Sequence, residues 1–395
     1  MDPQGPPAVK VDVQPVVEWL LGDLKEASSE LVLEAFGPFL IQCGVRVARI
    51  AAFVRTLHPE IMGRRFIWKR GTERVDVLHA PYALVRSPEY SNSPAGEVTQ
   101  SGHECRWRLE GEAALPYVSL DELRAAGMTD YVGLPLHFLT DQVHAITFAT
   151  DAKGGFSDGE LEAIRYATKP LARIAEILSL ERSATNLLDA YVGHHAGERI
   201  LAGRVRRGET ETIHCIIWFS DLRGFTTLSS QADPASTVEI LNRLFDCQVP
   251  AVERHGGEVL KFIGDGMLAI FRVKDGSDAK AVARGALAAA NEAFAALDDW
   301  NGLRAKEGAS PLAFGLALHI GDVGYGNIGS AGRLDFTCIG SAVNVAARVE
   351  GLASKLGRRL LLTRAMAEVL EVPTRSLGAH ELKGIAEAEV VHELA

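Results

Sequence analysis

Three stretches in the second half of the chain carry side chains whose types and spacing suit the handling of a metal ion and a phosphate. In the first, the apolar run Ile213 to Phe219 ends in Ser220 and Asp221 and is followed by Leu222, Arg223, Gly224, Phe225 and Thr226. This reads as a buried strand feeding a tight turn and the start of a helix. Asp221 then stands at a strand end, where it either caps the new helix or holds a hard cation. The backbone N–H groups from Arg223 to Thr226, at the helix N-terminus, can cradle phosphate oxygens. In the second stretch, Glu258 to Phe271, two alternating apolar runs are joined by Gly264, Asp265 and Gly266. That pattern is a β-hairpin with a carboxylate at its tip. Its incoming strand carries Lys261, which among apolar neighbours needs a polar partner. The third stretch, Arg333 to Glu350, passes from a strand into a helix near Ser341. Asn344 and Arg348 lie one turn apart on one helix face, so both can reach a single ligand, and the planar guanidinium suits a phosphate that gains charge during a reaction.

The whole chain bounds the scaffold that must position them. At 395 residues it is too long for one ordinary core, so two domains are expected. The apolar share of 47% and charged share of 23% are those of a globular protein and exclude a collagen-like or disordered chain. No apolar run approaches the roughly 18 residues of a spanning helix, and the N-terminus lacks a signal-peptide layout. The expectation is a cytoplasmic protein with no integral membrane segment. A net charge of −10 opposes nucleic acid and anionic lipid as partners, so any positive site must be compact. The cysteines Cys43, Cys105, Cys215, Cys247 and Cys338 are scattered without a C-x-x-C pair, which fits reduced thiols.

Residues 1–15 read as a flexible tail. Over 16–160, helical spacing (Leu20, Leu21, Leu24, Leu31, Leu33, Phe36) gives way from Phe66 to short alternating runs, so helices followed by a sheet are expected. Ser87 to Gly102, rich in Ser, Pro, Asn and Gly, reads as a long surface loop, and Tyr131 to Thr150 as a hairpin broken near Asp141 and Gln142. Ser157 and Glu160 form a capping box opening a long helix, whose apolar stripe from Leu161 runs to about Leu188 through Pro170. That helix either packs on its own domain or pairs with another in a dimer. Residues 161–211 are assigned to a helical linker. The histidines of the first half, His58, His79, His103, His137 and His144, have no metal-ligand spacing.

The three stretches together, in their order and spacing, resemble the class III adenylyl and guanylyl cyclase family over roughly residues 190–395. The resemblance implies an α+β catalytic domain at 212–395, a mainly antiparallel sheet of ferredoxin-like plan. It implies that Asp221 and Asp265 bind two divalent cations, Mg2+ or Mn2+, and that Asn344 orients the ribose while Arg348 stabilises the transition state. Gly224, Phe225 and Thr226 would meet the phosphates. Lys383, within Glu381-Leu382-Lys383-Gly384, resembles the lysine that contacts the terminal phosphates. Base choice in the family rests on the positions of Lys261 and Thr337. Adenylyl members carry Lys with Asp or Thr there, guanylyl members Glu with Cys or Ser. Lysine only donates, which fits adenine N1 and clashes with the guanine N1–H. The implied reaction is ATP to 3′,5′-cyclic AMP and pyrophosphate at a site shared by two copies of the chain.

The N-terminal region resembles a GAF-type sensor domain in its order of elements and in the Phe156-Ser157-Asp158-Gly159-Glu160 opening of its last helix. It would receive a small-molecule or protein effector of unknown identity. The segments from Leu187 and Arg199 resemble the joint between sensor and cyclase in bacterial members. Three alternatives are weighed: a catalytically silent nucleotide-binding or dimerising module, a guanylate cyclase suggested by Cys338 beside Thr337, and a diguanylate cyclase suggested by His255-Gly256-Gly257-Glu258. The occupied site positions oppose the first and Lys261 the second. The two glycines read as a turn before a strand, against the third.

Overall fold

The computed structural model describes residues 11–22, 24, 27–85, 87–274 and 278–395, so the first ten positions of the expected tail lie outside the described residues. The chain divides into two compact units, Met1–Ala190 and Tyr191–Ala395. Among the described residues, no helix is long and apolar enough to cross a membrane.

The first unit runs α1 (Gln14–Gly22), α2 (Ser29–Gln42), β1 (Arg49–Arg55), β2 (Ile61–Lys69), β3 (Asp76–Pro81), α3 (Tyr82–Val85), α4 (Pro88–Ser91), α5 (Pro94–Ser101), β4 (Cys105–Arg108), α6 (Val118–Ala125), β5 (Asp130–His137), β6 (Val143–Thr150) and α7 (Asp158–Val192). Its antiparallel sheet has the order β3-β2-β1-β6-β5-β4. One face is packed by Ile50, Phe66, Trp68, Ile146 and Phe148 against Val16, Phe36, Leu40, Ile164 and Leu171 of α1, α2 and α7. The capping box forms as its residue types require: Ser157 N–H donates to Glu160 at 2.8 Å, and Glu160 N–H to the Ser157 hydroxyl at 3.3 Å. The stretch from Ser87 to Gly102 corrects the expected loop, because it folds into α4 and α5. Ser93 caps α5 by accepting from Gly96 N–H at 3.1 Å, Pro94 takes a first-turn position, and Gly102 ends the helix at φ 68°. The residue types taken for loop formers are the start and stop signals of a short helix.

The second unit continues with α8 (His194–Leu201), β7 (Thr210–Leu222), α9 (Phe225–Gln231), α10 (Pro234–Arg254), β8 (Glu258–Ile263), β9 (Gly266–Arg272), α11 (Ala279–Lys306), β10 (Phe314–Ser330), β11 (Arg333–Ile339), α12 (Ser341–Leu356), β12 (Leu360–Thr363), α13 (Arg364–Leu370), β13 (Thr374–His380) and β14 (Glu389–Leu394). The heart of its sheet, β10-β7-β9-β8, is antiparallel throughout and follows the strand–helix–hairpin–helix–strand order of a ferredoxin-like plan. Beyond β10 lie β12, β14 and β13, and β11 folds back on the far half of β10.

The unbroken apolar run of β7 exists because both of its faces are covered. Ile216 and Trp218 pack with Leu244 and Val252 of α10 and with an alanine row of α11, including Ala286, Ala290 and Ala293. Ile213, Cys215 and Ile217 pack on the other face with Ala342 and Ala346 of α12. Small side chains on both helices let them approach the sheet closely. Gly256, at φ 79°, and Gly257 make the turn from α10 into β8. Cys105, Cys215 and Cys338 are buried as small core residues.

Candidate active site

Asp221 is the penultimate residue of β7. Its register neighbour on β10 is Gly315, and Ser220 before it pairs with Met267 of β9. The β8–β9 hairpin closes through the Ile263–Gly266 pair, so Gly264 and Asp265 form a two-residue turn at the end of β7, with Gly264 at φ 64°. Gly266 is required by close approach: a Cβ there would stand 2.6 Å from the Ser220 carbonyl oxygen and 3.0 Å from Asp221 Oδ1. Burial, reinforced by the charge of Asp265 and a side-chain hydrogen bond to it, pushes the Asp221 carboxyl up to about 6. Two carboxylates so held repel each other unless a proton or a cation lies between them. This oxygen pair fits Mg2+ or Mn2+, which commonly take one or two carboxylates and complete their shell with water and substrate phosphate.

A third carboxylate stands behind the pair. Glu350, 7% exposed, projects from α12 toward the β7–β10 step, where a Cβ on Gly315 would come 2.5 Å from its Oε1. Burial foremost, then the charge of Asp221, raises Glu350 to about 7, with the Arg223 guanidinium opposing. Arg223 also donates to the carbonyl oxygens of Ala353 and Arg358, which ties the turn after β7 to the end of α12. Sequence reasoning passed over Glu350. Its signal was legible as a carboxylate in the buried series Ala342, Val345, Ala346, Val349 and Ala353.

Lys261 on β8 reaches across to β11, where its Nζ donates to Asp335 at 2.6 Å. Asp335 was a second omission. It lies two residues before Thr337, on the same face of β11, and pairs with Ile328 as Thr337 pairs with Gly326. The Thr337 hydroxyl is buried and has no hydrogen-bond partner, an uncommon condition for a buried polar group.

Asn344 and Arg348 share the exposed face of α12, and neither side chain has a hydrogen-bond partner among the described residues. Arg348 and Glu350 are two residues apart, about 200° around the helix, so the face that turns Glu350 toward Asp221 turns Arg348 away. Lys383 is exposed in the connection from β13 to β14. The register through β10, β12 and β14 puts that connection at the end of the sheet opposite Asp221. At the turn into α9, the Arg223 amide donates to Ala313 at 2.8 Å and is not free for a phosphate, while Gly224 stands at φ 72° as the N-cap before Phe225 and Thr226.

Residues 209–392 match the family described as the adenylate and guanylate cyclase catalytic domain. An adenylate cyclase of Anabaena cylindrica is 35% identical over 170 residues, covering 42% of this chain and 32% of that protein. Adenylate cyclase 1 of Rhizobium meliloti (strain 1021) is 25% identical over 376 residues, covering 84% of this chain and 55% of that protein. The chain spans about a third of the one relative and about half of the other. A solved structure of a bacterial light-regulated adenylyl cyclase is 30% identical, with a TM-score of 0.40, over 47% of this chain and 91% of that one.

Proposed function

We propose that this protein, whose residues 209–392 match the adenylate and guanylate cyclase catalytic domain family, converts ATP to 3′,5′-cyclic AMP and pyrophosphate at a site completed by a second copy of the chain. The observation that carries the shared site is the opposition of faces on α12, with Glu350 buried toward Asp221 and Arg348 exposed without a partner. One copy then contributes the Asp221–Asp265 pair. The other contributes Lys261, Thr337, Asn344 and Arg348. The protein is active as a homodimer with two such sites, and the isolated chain is inactive.

Divalent cations held by Asp221 and Asp265 would neutralise charge at the α-phosphate and the leaving pyrophosphate and acidify the ribose 3′-hydroxyl. The 3′-oxygen bonds to the α-phosphorus as the bond to pyrophosphate breaks, and the hydroxyl proton leaves to solvent. Arg348 donates to the phosphoryl oxygens as they gain charge, and Asn344 holds the ribose so that attack is in line. Lys261 donates to adenine N1, and the unpartnered Thr337 hydroxyl accepts from the 6-amino group. That hydroxyl is covered in the single chain, so its use requires the β8–β11 edge to move on binding. Gly224, Phe225 and Thr226 line the phosphate side, and Lys383 reaches the terminal phosphates in the assembled pair. The first unit receives an effector and sets the angle at which the two catalytic domains meet.

The test is product analysis of the purified protein with ATP or GTP and with Mg2+ or Mn2+, beside a Lys261→Glu/Thr337→Cys variant. Cyclic AMP from the native protein and a shift toward cyclic GMP in the variant are expected. Cyclic GMP as the native product, or no cyclic nucleotide under either metal, overturns the reading.

A further inference from the structure

The sheet of the first unit has two unlike faces. The even-numbered residues of β1 and β2, Ile50, Ala52, Val54, Phe66 and Trp68, enter the core shared with α1, α2 and α7. The odd-numbered residues point the other way. There Arg49 stands opposite Lys69 and Phe53 opposite Arg65, with Ala51 between them. On this face β6 presents Ala145, Thr147 and Ala149, and β5 presents Gly133 between Tyr131 and Pro135. Tyr131, Ala145 and Ala149 pack with Val98 of α5 and Leu120 of α6, while the side of this face over β1 and β2 is left open. A cavity of about 350 Å³ remains, lined by Arg49, Arg65, Ala51, Phe53, Thr147 and, from α6, Glu122.

Several arginines of the unit are held by carboxylates. Arg106 meets Asp130 at 2.7 Å and Arg46 meets Glu160 at 2.6 Å, each carboxylate being almost fully buried. Lys69 has Asp76 at 3.7 Å. Arg49 and Arg65 have no hydrogen-bond or ion-pair partner among the described residues, and Glu122 is the one carboxylate lining the cavity with them. Burial foremost holds the Arg49 pKa below its ordinary value, with Tyr131 opposing and the charge of Arg65 adding to the fall. Arg65 is exposed and Arg49 half-buried, so it is chiefly the desolvated charge of Arg49 that costs stability unless an anion offsets it.

We propose that this cavity binds a small organic anion, a carboxylate or a phosphate ester, whose charged head bridges Arg49 and Arg65 and whose apolar body lies over Ala51 beside Phe53. The volume is at the lower end for small-molecule sites, which sets the size of the body. Arginine forks suit either planar carboxylate or phosphate oxygens. The site belongs to the first unit and does not depend on the cyclase reading.

The experiment is ligand-observed NMR on the full chain with four probes of matched shape: benzoate, phenyl phosphate, benzamide and benzyl alcohol. At least one anionic probe should bind saturably and raise the melting temperature, with neither uncharged probe doing so. The stronger anion names the head group. Arg49→Gln and Arg65→Gln should each weaken that probe about tenfold or more. The native protein's choice between charged and uncharged probes needs no variant and stands if a variant fails to fold. Equal binding of charged and uncharged probes, no binding by any probe, or anion binding that survives both substitutions overturns the proposal.

Discussion

Arg348 and Glu350 lie two residues apart on α12 and face opposite ways, the arginine exposed and the glutamate 7% exposed beside Asp221. Val345 and Val349 are buried on the inner side of α12, away from the exposed face that carries Arg348. In the proposed reaction, which uses both groups, one of them is therefore borrowed from a second copy. Asp265→Ala and Arg348→Ala should each lower the rate by a factor of about a hundred or more. Mixed in equal amounts, they should recover about a quarter of native activity, since half the dimers are hybrids with one intact site of two. Failure to recover activity in a hybrid shown to form would count against the shared site.

The Lys261–Asp335 contact at 2.6 Å fastens a flexible four-carbon stem at the strand edge two residues from Thr337. Asp335 is a positioning residue in the proposed site. Asp335→Asn should raise the KM for ATP several-fold and narrow the preference for ATP over GTP, with kcat nearly unchanged, because only ground-state placement of the ammonium is lost. In a double-mutant cycle with Lys261→Ala the two effects should be strongly non-additive. If Lys261→Ala alters base preference while Asp335→Asn does not, Asp335 has no such role. If neither does, base reading lies elsewhere.

Glu350 and Asp221 are carboxyls whose folded-state pKa values are raised, to about 7 and about 6. The folded state therefore binds more protons than the unfolded one between the ordinary value and the raised one, and its stability must fall as pH rises through that window. For Glu350 the window runs from 4.5 to about 7. In chelator, the melting temperature of the native protein should fall as pH rises across it. Glu350→Gln should be equal to native or less stable at the acid end, and should gain on it by about 1–3 kcal/mol at the alkaline end. Parallel curves for the two proteins would show that Glu350 does not titrate as described.

Gly266→Ala tests how the carboxylates are brought together. The added Cβ would meet the Ser220 carbonyl oxygen at 2.6 Å, a backbone atom in the central strand, so the hairpin must lift away from β7 and carry Asp265 with it. A loss of about 1–3 kcal/mol of stability is expected. The concentration of Mg2+ or Mn2+ needed for half-maximal activity should rise at least about tenfold. An unchanged metal requirement would mean that the Asp221–Asp265 approach does not govern metal affinity.

The features written within one strand, turn or helix were legible in the sequence. The apolar run ending at Asp221, the hairpin tip at Asp265 and the common face of Asn344 and Arg348 follow from a few consecutive residues through periodicity and turn chemistry. Between Ser87 and Gly102 composition points to a loop, whereas the order of the residues decides for a helix. Ser93, Pro94 and Gly102 occupy the positions that start and stop α5.

Four relationships were decided only by the tertiary structure. Asp221 meets Asp265 because β9 lies beside β7 in this register and no other. Lys261 meets Asp335 across 74 residues of sequence because β11 folds back over the sheet toward β8. Glu350 turns inward, and Arg49 and Arg65 are left facing a cavity, because packing chose which side of α12 and which side of the first sheet would be filled. Sheet register and the choice of face are set by the sum of many distant side-chain contacts, each small. A local pattern can place a carboxylate at a strand end, but only those distant contacts bring it to its partner.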